Sequence, residues 1–586
     1  MPPVGSVGRR SSPRALVRGI AVGPMLRTAL MALAVGGLLV MLIWPLITEG
    51  ARQKGDYPTD TWLIMHQAEA LRQGVFPSYF LHTNGGVFYP AFAFYGGTLF
   101  ALGAAVSLVV GSAWTAQAIV YLLALGAAYG GWVWLARLAG LRSWQVHAPA
   151  IVYVTAPYVV TNVNVRQDLT ESVATSVIPL LAASALSVLR TDRLRAGPVA
   201  ALAMSTLVVG GSHNLTLLWG VTILVPAVLV LAVTVPETRR MVTRRGLLRV
   251  LAVVVPAMAV NAWYLLPDLA YYSHTLIVGR IDEWKAGLRV PGAAVEAEYL
   301  YSVNRTSAFP GSDFSLALPV LAIGWVLLAA LLVVRRQWRH VWARTLAVVS
   351  LLSIAVLVVM THPRPITALP DPWQMIQYSY RLETFVLFGI CGAVIAALVL
   401  VNRSPYRWVS LVLVPIMAFS VIGAYRQVRD VPLHPSDIVW TIDNLYPFST
   451  GDFADVSEKE LINPGPPKVY TRKDVHRDHM AVTVKARPGE VIYIDIMTSP
   501  QLVDIDGARV VGRWGAAPAG PAVQPRWYLA LRIDDDATPG KARITVHEAR
   551  SLPIVGGRII STLGLLGLAA NAAVIALAAL RRRRNG

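Results

Sequence analysis

Two short polar segments of the chain carry the residue types that acid–base chemistry needs. The first runs from 54 to 71 and contains Asp56, Asp60, His66 and Glu69. If the part from Asp60 onward is helical, His66 and Glu69 share one face, because residues three apart are neighbours on a helix. A partly desolvated carboxylate can take a proton from a hydroxyl group or hold a cation. Alternatively, these acidic residues have no chemical role and only keep an exposed loop hydrated.

The second segment, 162–171, is short and carries Arg166, Asp168 and Glu171. We expect Glu171 to lie in the first turn of the helix that follows. Ionisable side chains at the ends of membrane-spanning helices are costly against lipid, so they tend to face a cavity or one another. An ion pair between Arg166 and Asp168 that holds the loop is the structural interpretation, and it does not exclude a function.

Three further polar residues follow later in the chain: His213 in the turn 210–214, and Gln377 and Arg381 in the segment 370–383. A lone histidine between two apolar runs is more often a structural group than a catalytic one. Arg381 enters an apolar run, where arginine either anchors to lipid headgroups or binds a phosphate through its fork of donors. The aromatic residues around it would suit the cover of a long isoprenoid chain.

The composition indicates that these residues are positioned by membrane helices. Hydrophobic residues make up 55% of the chain, charged residues only 15%, and the mean hydropathy is +0.53, which lies outside the range of soluble globular proteins. The net charge of +19 comes from short basic runs between apolar stretches, which mark a cytoplasmic membrane face, so it does not indicate nucleic acid as a partner. Cys391 is the single cysteine, and intrachain disulfides are therefore excluded.

Apolar runs long enough to cross a bilayer set the expected topology. Both ends of the chain are basic, so the positive-inside rule places both in the cytoplasm and requires an even number of crossings. The run at 91–110, rich in glycine and aromatic residues, is assigned to the outer interface. The expected spans number about twelve and lie at 28–47, 114–136, 148–163, 172–189, 198–211, 215–235, 248–268, 314–334, 345–361, 384–401, 408–425 and 554–580.

This topology divides the chain into a basic cytoplasmic N-terminus at 1–27, a transmembrane module at 28–425 and an external region at 426–553. A final span at 554–580 and a basic tail at 581–586 complete it. The external loops of the module are 48–113, 164–171, 269–313 and 362–383. Loops of the length of the first and third are usually functional or disordered.

From about residue 468 the pattern changes to alternating apolar and polar residues, with Pro-Gly turns at 488–489 and 539–540. Strands are expected near 480–485, 491–496, 527–533 and 541–547, which predicts an antiparallel β-sandwich outside the membrane. Trp514 and Trp527 would suit carbohydrate binding, but a structural cap is the preferred interpretation.

The order of these parts resembles the C-type (GT-C) superfamily of membrane glycosyltransferases, and within it the YfhO-like bacterial membrane proteins. The resemblance rests on the acidic first loop, the segment from Gly74 to Tyr95 with its glycine and aromatic residues, and the Pro157-Tyr158 pair before Arg166. It continues through the Ser212-His213 turn and the element from Gln377 to Arg381. It covers most of the membrane region, and no single motif in it is diagnostic.

The resemblance implies transfer of a sugar from a polyprenyl-phosphate donor to a cell-envelope glycan or lipid on the external side of the cytoplasmic membrane. In this family an Asp of the first loop is the catalytic base or a metal-site residue, which matches Asp60, with Asp56 as the other candidate. Asp168 or Glu171 matches a second acidic group, and Arg381 matches a late arginine beside the lipid phosphate. Asp60→Asn is then expected to fold and to lose transfer.

Further substrate contacts are expected from His66, Glu69, Arg166, His213 and Gln377. No cofactor is established by the sequence; a divalent cation, if one is used, would be held by Asp60, Asp168 and Glu171. The alternatives are a transporter or flippase of lipid-linked saccharides and a non-catalytic cell-envelope assembly protein. Transporters place ionisable or broken-helix sites near the midplane of the bilayer, whereas here the ionisable residues gather at the outer ends of the expected spans.

Overall fold

The computed structural model of the chain describes residues 24–48, 56–76, 78–80, 90–191, 195–275, 317–362, 364–376, 379–431, 462–466, 468–475, 479–494, 500–516 and 526–585. These residues are mainly helical, with a β-rich region before the last helix.

The helices are numbered in chain order within the described residues. They are α1 Pro24–Leu42, α2 Trp44–Thr48, α3 Tyr57–Arg72, α4 Ala91–Phe94, α5 Gly97–Val110, α6 Ala113–Leu138, α7 Ala148–Val154, α8 Pro157–Thr161, α9 Leu169–Arg190, α10 Ala196–Ser212, α11 Asn214–Thr234, α12 Pro236–Met241, α13 Arg244–Ala259, α14 Ala262–Tyr271, α15 Ala317–Gln337, α16 Val341–Thr361, α17 Asp371–Gln374, α18 Glu383–Asn402, α19 Leu413–Arg429 and α20 Leu552–Asn585.

The chain is a multi-pass membrane protein. Among the described residues, seven helices are long and apolar enough to cross a bilayer, or eight if the bent pair α13 and α14 is one span. Four apolar helices are shorter, at Thr28–Leu42, Gly97–Val110, Ala196–Ser212 and Ala322–Val333. The expected total of about twelve spans remains a prediction, because length and composition alone do not decide whether a short helix crosses.

Several of the expected continuous runs are broken, two of them beside the polar segments. The run 148–163 forms α7 and α8, separated at Thr155 and Ala156. Pro157 is the first residue of α8, because proline lacks the backbone N–H that would continue the preceding helix. The run 91–110, assigned to the interface, is likewise interrupted between α4 and α5 at Tyr95 and Gly96, and Gly96 has a positive φ of 55°.

The basic clusters lie together at one end of the helix bundle. There, Arg190 donates to the Leu138 carbonyl over 2.7 Å and Arg344 pairs with Glu237 at 3.5 Å. Gln145 and Asn402 exchange amide hydrogen bonds at the same end. Helix α9 has 22 residues and therefore spans about 33 Å at 1.5 Å per residue. Its first residue, Leu169, thus lies at the opposite end of the bundle from these basic residues.

That opposite end is a packed layer around α3, α5 and the start of α9. Helix α3 lies against α5. Gly103 of α5 faces the Ile64 side chain of α3, and a Cβ atom at position 103 would lie only 3.0 Å from that side chain. The backbone N–H of Asp56 donates to the Arg166 carbonyl over 3.1 Å. The start of α3 is thereby joined to the segment that precedes α9.

The β-rich region forms two antiparallel sheets. Its strands are β1 Tyr470–Val475, β2 His479–Val484, β3 Val491–Tyr493, β4 Val503–Asp506, β5 Ala508–Ala516, β6 Arg526–Ile533 and β7 Ala542–Glu548. One sheet has the order β1-β2-β7-β4 and the other β3-β6-β5. Buried residues alternate along β2, where Val482 faces Ile544 of β7, as expected for a sheet with one face covered. The predicted β-rich region is confirmed, and the sandwich packing of its sheets remains a prediction.

Helix α20 joins this region to the bundle. Gly564 approaches the backbone of Pro256 and Val260 so closely that a Cβ would lie 2.7 Å from it. At its start, Arg558 pairs with Glu548 at the end of β7, at 2.6 Å, and lies over the Tyr79 ring. In the smaller sheet, the Trp514 ring stacks on Tyr493 with centroids 4.2 Å apart. The interpretation of the region as a structural cap remains a prediction.

Candidate functional site

The residues from Asn162 to Glu171 form a sharp turn between two helices. After α8 the chain makes a π-helical turn over Asn162–Arg166, and Gln167 then adopts a left-handed conformation with φ of 57°. Wide turns of this kind occur mostly at functional sites, and a non-glycine residue with positive φ is uncommon. Asp168 caps α9, because its Oδ1 atom accepts from the backbone N–H of Glu171 over 2.9 Å. The predicted position of Glu171 in the first turn of a helix is therefore observed.

Arg166 and Arg381 share the two carboxylates of this turn. Glu171 Oε2 lies 3.1 Å from Arg166 Nη1 and 3.1 Å from Arg381 Nε. Asp168 Oδ2 lies 3.3 Å from Arg166 Nη2 and 4.0 Å from Arg381 Nη2. Only 4% of the Asp168 side chain and 1% of the Glu171 side chain are exposed to solvent. The exposed fractions of the Arg166 and Arg381 side chains are 10% and 13%. The cationic side of the network is therefore the one that solvent reaches.

Neutral polar groups complete the network around Glu171. The Tyr158 hydroxyl donates to Glu171 Oε1, and Asn162 Oδ1 accepts from Arg166 over 2.7 Å. The Arg166 guanidinium also lies over the Tyr380 ring, 5.4 Å from its centroid. Buried charges are tolerated in proteins only when they are paired and hydrogen bonded. This turn meets both conditions.

Tyr158 and Asn162 were not among the predicted site residues. Their spacing was the available signal, because Tyr158, Asn162 and Arg166 follow one another at intervals of four residues. Residues at that interval share one face of a helix. A polar face on an otherwise apolar segment therefore indicated that Tyr158 and Asn162 would lie near Arg166.

His213 joins the same network from the junction of α10 and α11. Its Nδ1 atom is 2.7 Å from the Thr216 hydroxyl, which leaves Nε2 as the ring nitrogen that can take another partner. Burial lowers the pKa of His213, so the ring is neutral at pH 7. Ligand atoms of Asp168, Glu171 and His213 all lie within 4.8 Å of one another.

Two carboxylates and an imidazole are a ligand set that divalent cations accept. Both carboxylates, however, already face arginines, Asp168 through Oδ2 and Glu171 through Oε2. A cation at this point would lie beside two guanidinium groups unless they moved. The site in this structure therefore fits an ion-pair network better than a metal centre.

The two aspartates of the first segment reach this site in different ways. Asp60 lies in the first turn of α3, is 1% exposed, and accepts from the backbone N–H of Leu169 over 3.0 Å. It thus binds the N-terminus of α9, where helix dipoles favour negative charge. Asp56 immediately precedes α3 and is exposed. Asp56, rather than Asp60, is the aspartate that an external molecule can touch.

Asp56 is exposed to solvent, although many protein atoms surround its carboxyl group. Burial, helped by the negative charge of Asp168, raises its pKa to about 6, while Arg166 and Arg381 act in the opposite direction. Burial also raises the pKa of Asp60 well above its usual range. Asp56 therefore titrates near pH 6, and it lies close enough to Arg166 and Arg381 for both positive charges to lower its pKa.

Two other predicted residues, His66 and Glu69, have contacts within α3. His66 is buried and packs edge-on against Trp62, with ring centroids 4.3 Å apart. Glu69 lies at the surface of α3, where it pairs with Arg72 at 3.3 Å and accepts from Gln73. The predicted helix is present, but these two side chains meet partners from α3 itself. Gln377 lies outside the described residues.

Comparison with known proteins adds little to this geometry. No protein-family model and no curated protein matches the chain. Among solved structures, it is similar to the crystal structure of ArnT from Cupriavidus metallidurans bound to undecaprenyl phosphate, with 15% sequence identity and a TM-score of 0.30. The alignment covers 64% of this chain and 78% of ArnT. A similarity at this TM-score does not define a function, which must be argued from the site.

Proposed function

We propose that the chain is a membrane glycosyltransferase that moves a sugar from a polyprenyl-phosphate donor to an acceptor hydroxyl in the cell envelope. The observation that carries this proposal is that two partly accessible arginine side chains interact electrostatically with an accessible carboxylate, Asp56, whose pKa is raised. The resemblance of the membrane region to C-type glycosyltransferases, stated on sequence, agrees with it. The donor's lipid chain gives the reason why such an enzyme is built from membrane helices.

The arginine pair supplies an anion site for the donor phosphate. Each guanidinium carries five N–H donors in a planar fork, and the contacts of Arg166 and Arg381 with Glu171 and Asp168 use only part of them. The carboxylates hold both side chains in position before a ligand arrives, which reduces the ordering cost of binding. A phosphate monoester or diester is the ligand that suits this geometry.

Asp56 acts as the general base in this mechanism. It takes the proton of the acceptor hydroxyl while the acceptor oxygen forms a bond to the anomeric carbon of the sugar. The bond between that carbon and the phosphate oxygen breaks, and polyprenyl phosphate leaves with the bonding electrons. Arg166 and Arg381 stabilise the negative charge that develops on the departing phosphate.

Asp60 is then a positioning residue rather than the base that the sequence suggested. Its carboxyl group joins α3 to the first turn of α9, so it sets the distance between Asp56 and the arginine pair. The amide of asparagine can also accept from the Leu169 N–H. Asp60→Asn should therefore preserve this contact.

The distribution of basic residues supports an external site. The basic clusters and the site lie at opposite ends of the bundle, and the positive-inside rule assigns basic clusters to the cytoplasm. We therefore place the acceptor and the sugar on the external side, with both termini of the chain in the cytoplasm.

Site-directed labelling tests this orientation. In a Cys391→Ala background, we expect the cysteine of Arg72→Cys to react with a membrane-impermeant maleimide on intact cells. The cysteine of Arg403→Cys should react only after permeabilisation. Both positions are exposed in the structure, so each serves as the control of the other, and the reverse labelling pattern would place the site in the cytoplasm.

The pH dependence of transfer is a second expected outcome. Because Asp56 must be deprotonated to act as a base and its pKa is about 6, kcat/KM should rise with pH through about 6. Asp168→Asn removes a like charge that raises this pKa and keeps a good helix cap. The acid limb should therefore move to lower pH in Asp168→Asn, and an unchanged limb would show that another group titrates.

A transporter of lipid-linked saccharides is the second candidate, because the helix pair α13 and α14 is bent by 69° and broken helices occur in transporter sites. It differs from a transferase in making and breaking no bonds. The two candidates are therefore separated by product analysis.

The direct test of the proposed function is a donor assay. The purified chain in lipid nanodiscs is incubated with a panel of polyprenyl-phosphate sugars and a cell-envelope glycolipid fraction, and lipid products are analysed by mass spectrometry. A transferase releases free polyprenyl phosphate and adds one sugar to the acceptor. Recovery of every donor unchanged, together with donor translocation in proteoliposomes, would favour the transporter.

A further inference from the structure

A row of metal-ligating side chains crosses the larger sheet of the β-rich region. In the strand order β1-β2-β7-β4, His547 of β7 lies directly opposite His479 of β2 and, on its other side, opposite Asp504 of β4. Directly opposite residues of an antiparallel pair point to the same face, with Cβ atoms about 4.5–5.5 Å apart. The two histidines in the described part of this region are therefore neighbours on one face of the sheet.

The row lies on the solvent-facing side of the sheet. The next row contains Met480 and Val546, which are fully buried and point to the opposite face. On the side of the histidines, 38% of the His547 side chain and 74% of the Asp506 side chain are exposed. A hydrated cation can therefore reach this face without any change in the backbone.

Two aspartates of β4 flank the ring of His547. Asp506 Oδ2 lies 3.8 Å from His547 Nδ1, which is too long for a hydrogen bond but close enough to favour a proton on that nitrogen. The neutral ring then keeps the lone pair of Nε2 for a metal, the arrangement in which carboxylates orient histidine ligands. Asp504 Oδ2 accepts from the backbone N–H of Arg550 over 3.2 Å, which restrains the second carboxylate on the other side of the row.

The charge of this face also favours a cation. Among the residues that the structure describes, no lysine or arginine side chain pairs with Asp504 or Asp506. The two carboxylates can therefore attract a divalent ion without first releasing a guanidinium group. This differs from the carboxylates of the candidate functional site, which already face Arg166 and Arg381.

We propose that His479 and His547 bind a divalent transition-metal ion such as Zn²⁺. Imidazole is a ligand that Zn²⁺, Cu²⁺ and Ni²⁺ share, and zinc binds its nitrogen at about 2.0–2.1 Å. Two imidazoles on adjacent strands reach one ion by side-chain rotation alone, because the register already holds their Cβ atoms about 5 Å apart. Asp504 and Asp506 supply compensating negative charge, and water molecules occupy the remaining positions around the ion.

An ion at this position joins two neighbouring strands of the sheet. It connects β2 to β7, and β7 ends at Glu548, which pairs with Arg558 of α20 at 2.6 Å. A ligand that binds the folded state and not the unfolded state raises stability. We therefore expect Zn²⁺ to raise the unfolding temperature of the β-rich region, whether or not the chain transfers sugar.

A titration with Zn²⁺ alone tests this proposal. The full chain, purified with a tag that lacks histidine and treated with a chelator that is then removed, is titrated in lipid nanodiscs by isothermal titration calorimetry. His479→Gln and His547→Gln should each lower the affinity by at least about tenfold, because even the loss of a group that only orients a ligand costs about 10–100-fold. Equal affinity of the wild type and both variants would overturn the proposal.

Two further histidine variants show where the ion binds. His340→Gln removes an imidazole that contacts Arg403 far from the sheet, and its affinity for Zn²⁺ should match that of the wild type. His213→Ala removes the histidine of the candidate functional site. Loss of Zn²⁺ binding in His213→Ala, with full binding in His547→Gln, would assign the ion to that site and overturn the proposal.

Electron paramagnetic resonance with Cu²⁺ separates coordination from an effect on folding. At one Cu²⁺ per chain, the spectrum of the wild type should show coupling to two imidazole nitrogens. His479→Gln and His547→Gln, checked for native unfolding behaviour without metal, should each show coupling to one. Coupling to two imidazoles in either folded variant would contradict the assignment of that histidine as a ligand.

Discussion

Replacing Asp56 by asparagine is expected to lower kcat/KM for sugar transfer by about 10²–10⁴-fold, the usual contribution of a positioned general base. Asparagine keeps the size of the side chain but cannot take the acceptor proton. Donor binding should persist, because Arg166 and Arg381 are unchanged. The measurements are steady-state transfer and equilibrium binding of a polyprenyl phosphate to the same purified variant.

Asp60→Asn is the matched control for this substitution. The amide oxygen of asparagine can accept from the Leu169 N–H in place of the carboxyl oxygen of Asp60, so the contact between α3 and α9 is preserved. We expect its rate to stay within about tenfold of wild type, far from the loss that removal of a general base causes. If Asp60→Asn is inactive and Asp56→Asn is active, the role of base passes to Asp60.

Replacing Glu171 by glutamine is expected to lower the free energy of unfolding by about 3–5 kcal/mol, the usual cost of removing one partner from a buried ion pair. Glu171 is 1% exposed and lies 3.1 Å from nitrogen atoms of both Arg166 and Arg381. Without its charge, the guanidinium groups of Arg166 and Arg381 share only the carboxylate of Asp168 in this network. The measurement is denaturant or thermal unfolding of the purified protein in detergent.

Glu69→Gln provides the comparison for this effect. Glu69 pairs with Arg72 at the surface, and exposed pairs contribute about 0–1 kcal/mol. The double variant Glu171→Gln with Arg166→Gln should be less destabilised than the two single losses combined, because one uncompensated charge is gone. Equal stability of Glu171→Gln and Glu69→Gln would show that the network is not a buried ion-pair cluster.

Much of the site could be predicted from sequence because membrane energetics restrict where charges lie. Arg166, Asp168, Glu171, His213 and Arg381 stand at the ends of apolar runs, where lipid excludes them from the outside of the bundle. They could therefore be expected to meet, and the structure brings them together. The alternation of apolar and polar residues likewise indicated the strands of the C-terminal region.

The distinction between Asp56 and Asp60 could not be predicted, since it depends on tertiary contacts. Both are aspartates at the start of one helix, four residues apart. Asp60 is buried only because α9 begins beside it, and the π-helical turn that directs α9 there has no simple sequence signal. The roles of His66 and Glu69 remain predictions for a related reason: a helical face defines neighbours within α3 but not which elements pack against it.

The most direct test of the account is a cryo-electron microscopy structure of the chain with bound polyprenyl phosphate. We predict phosphate density within hydrogen-bond distance of both Arg166 and Arg381, with Asp56 on the side of the phosphate that faces the external solution. Phosphate density away from both arginines, at saturating ligand, would contradict it.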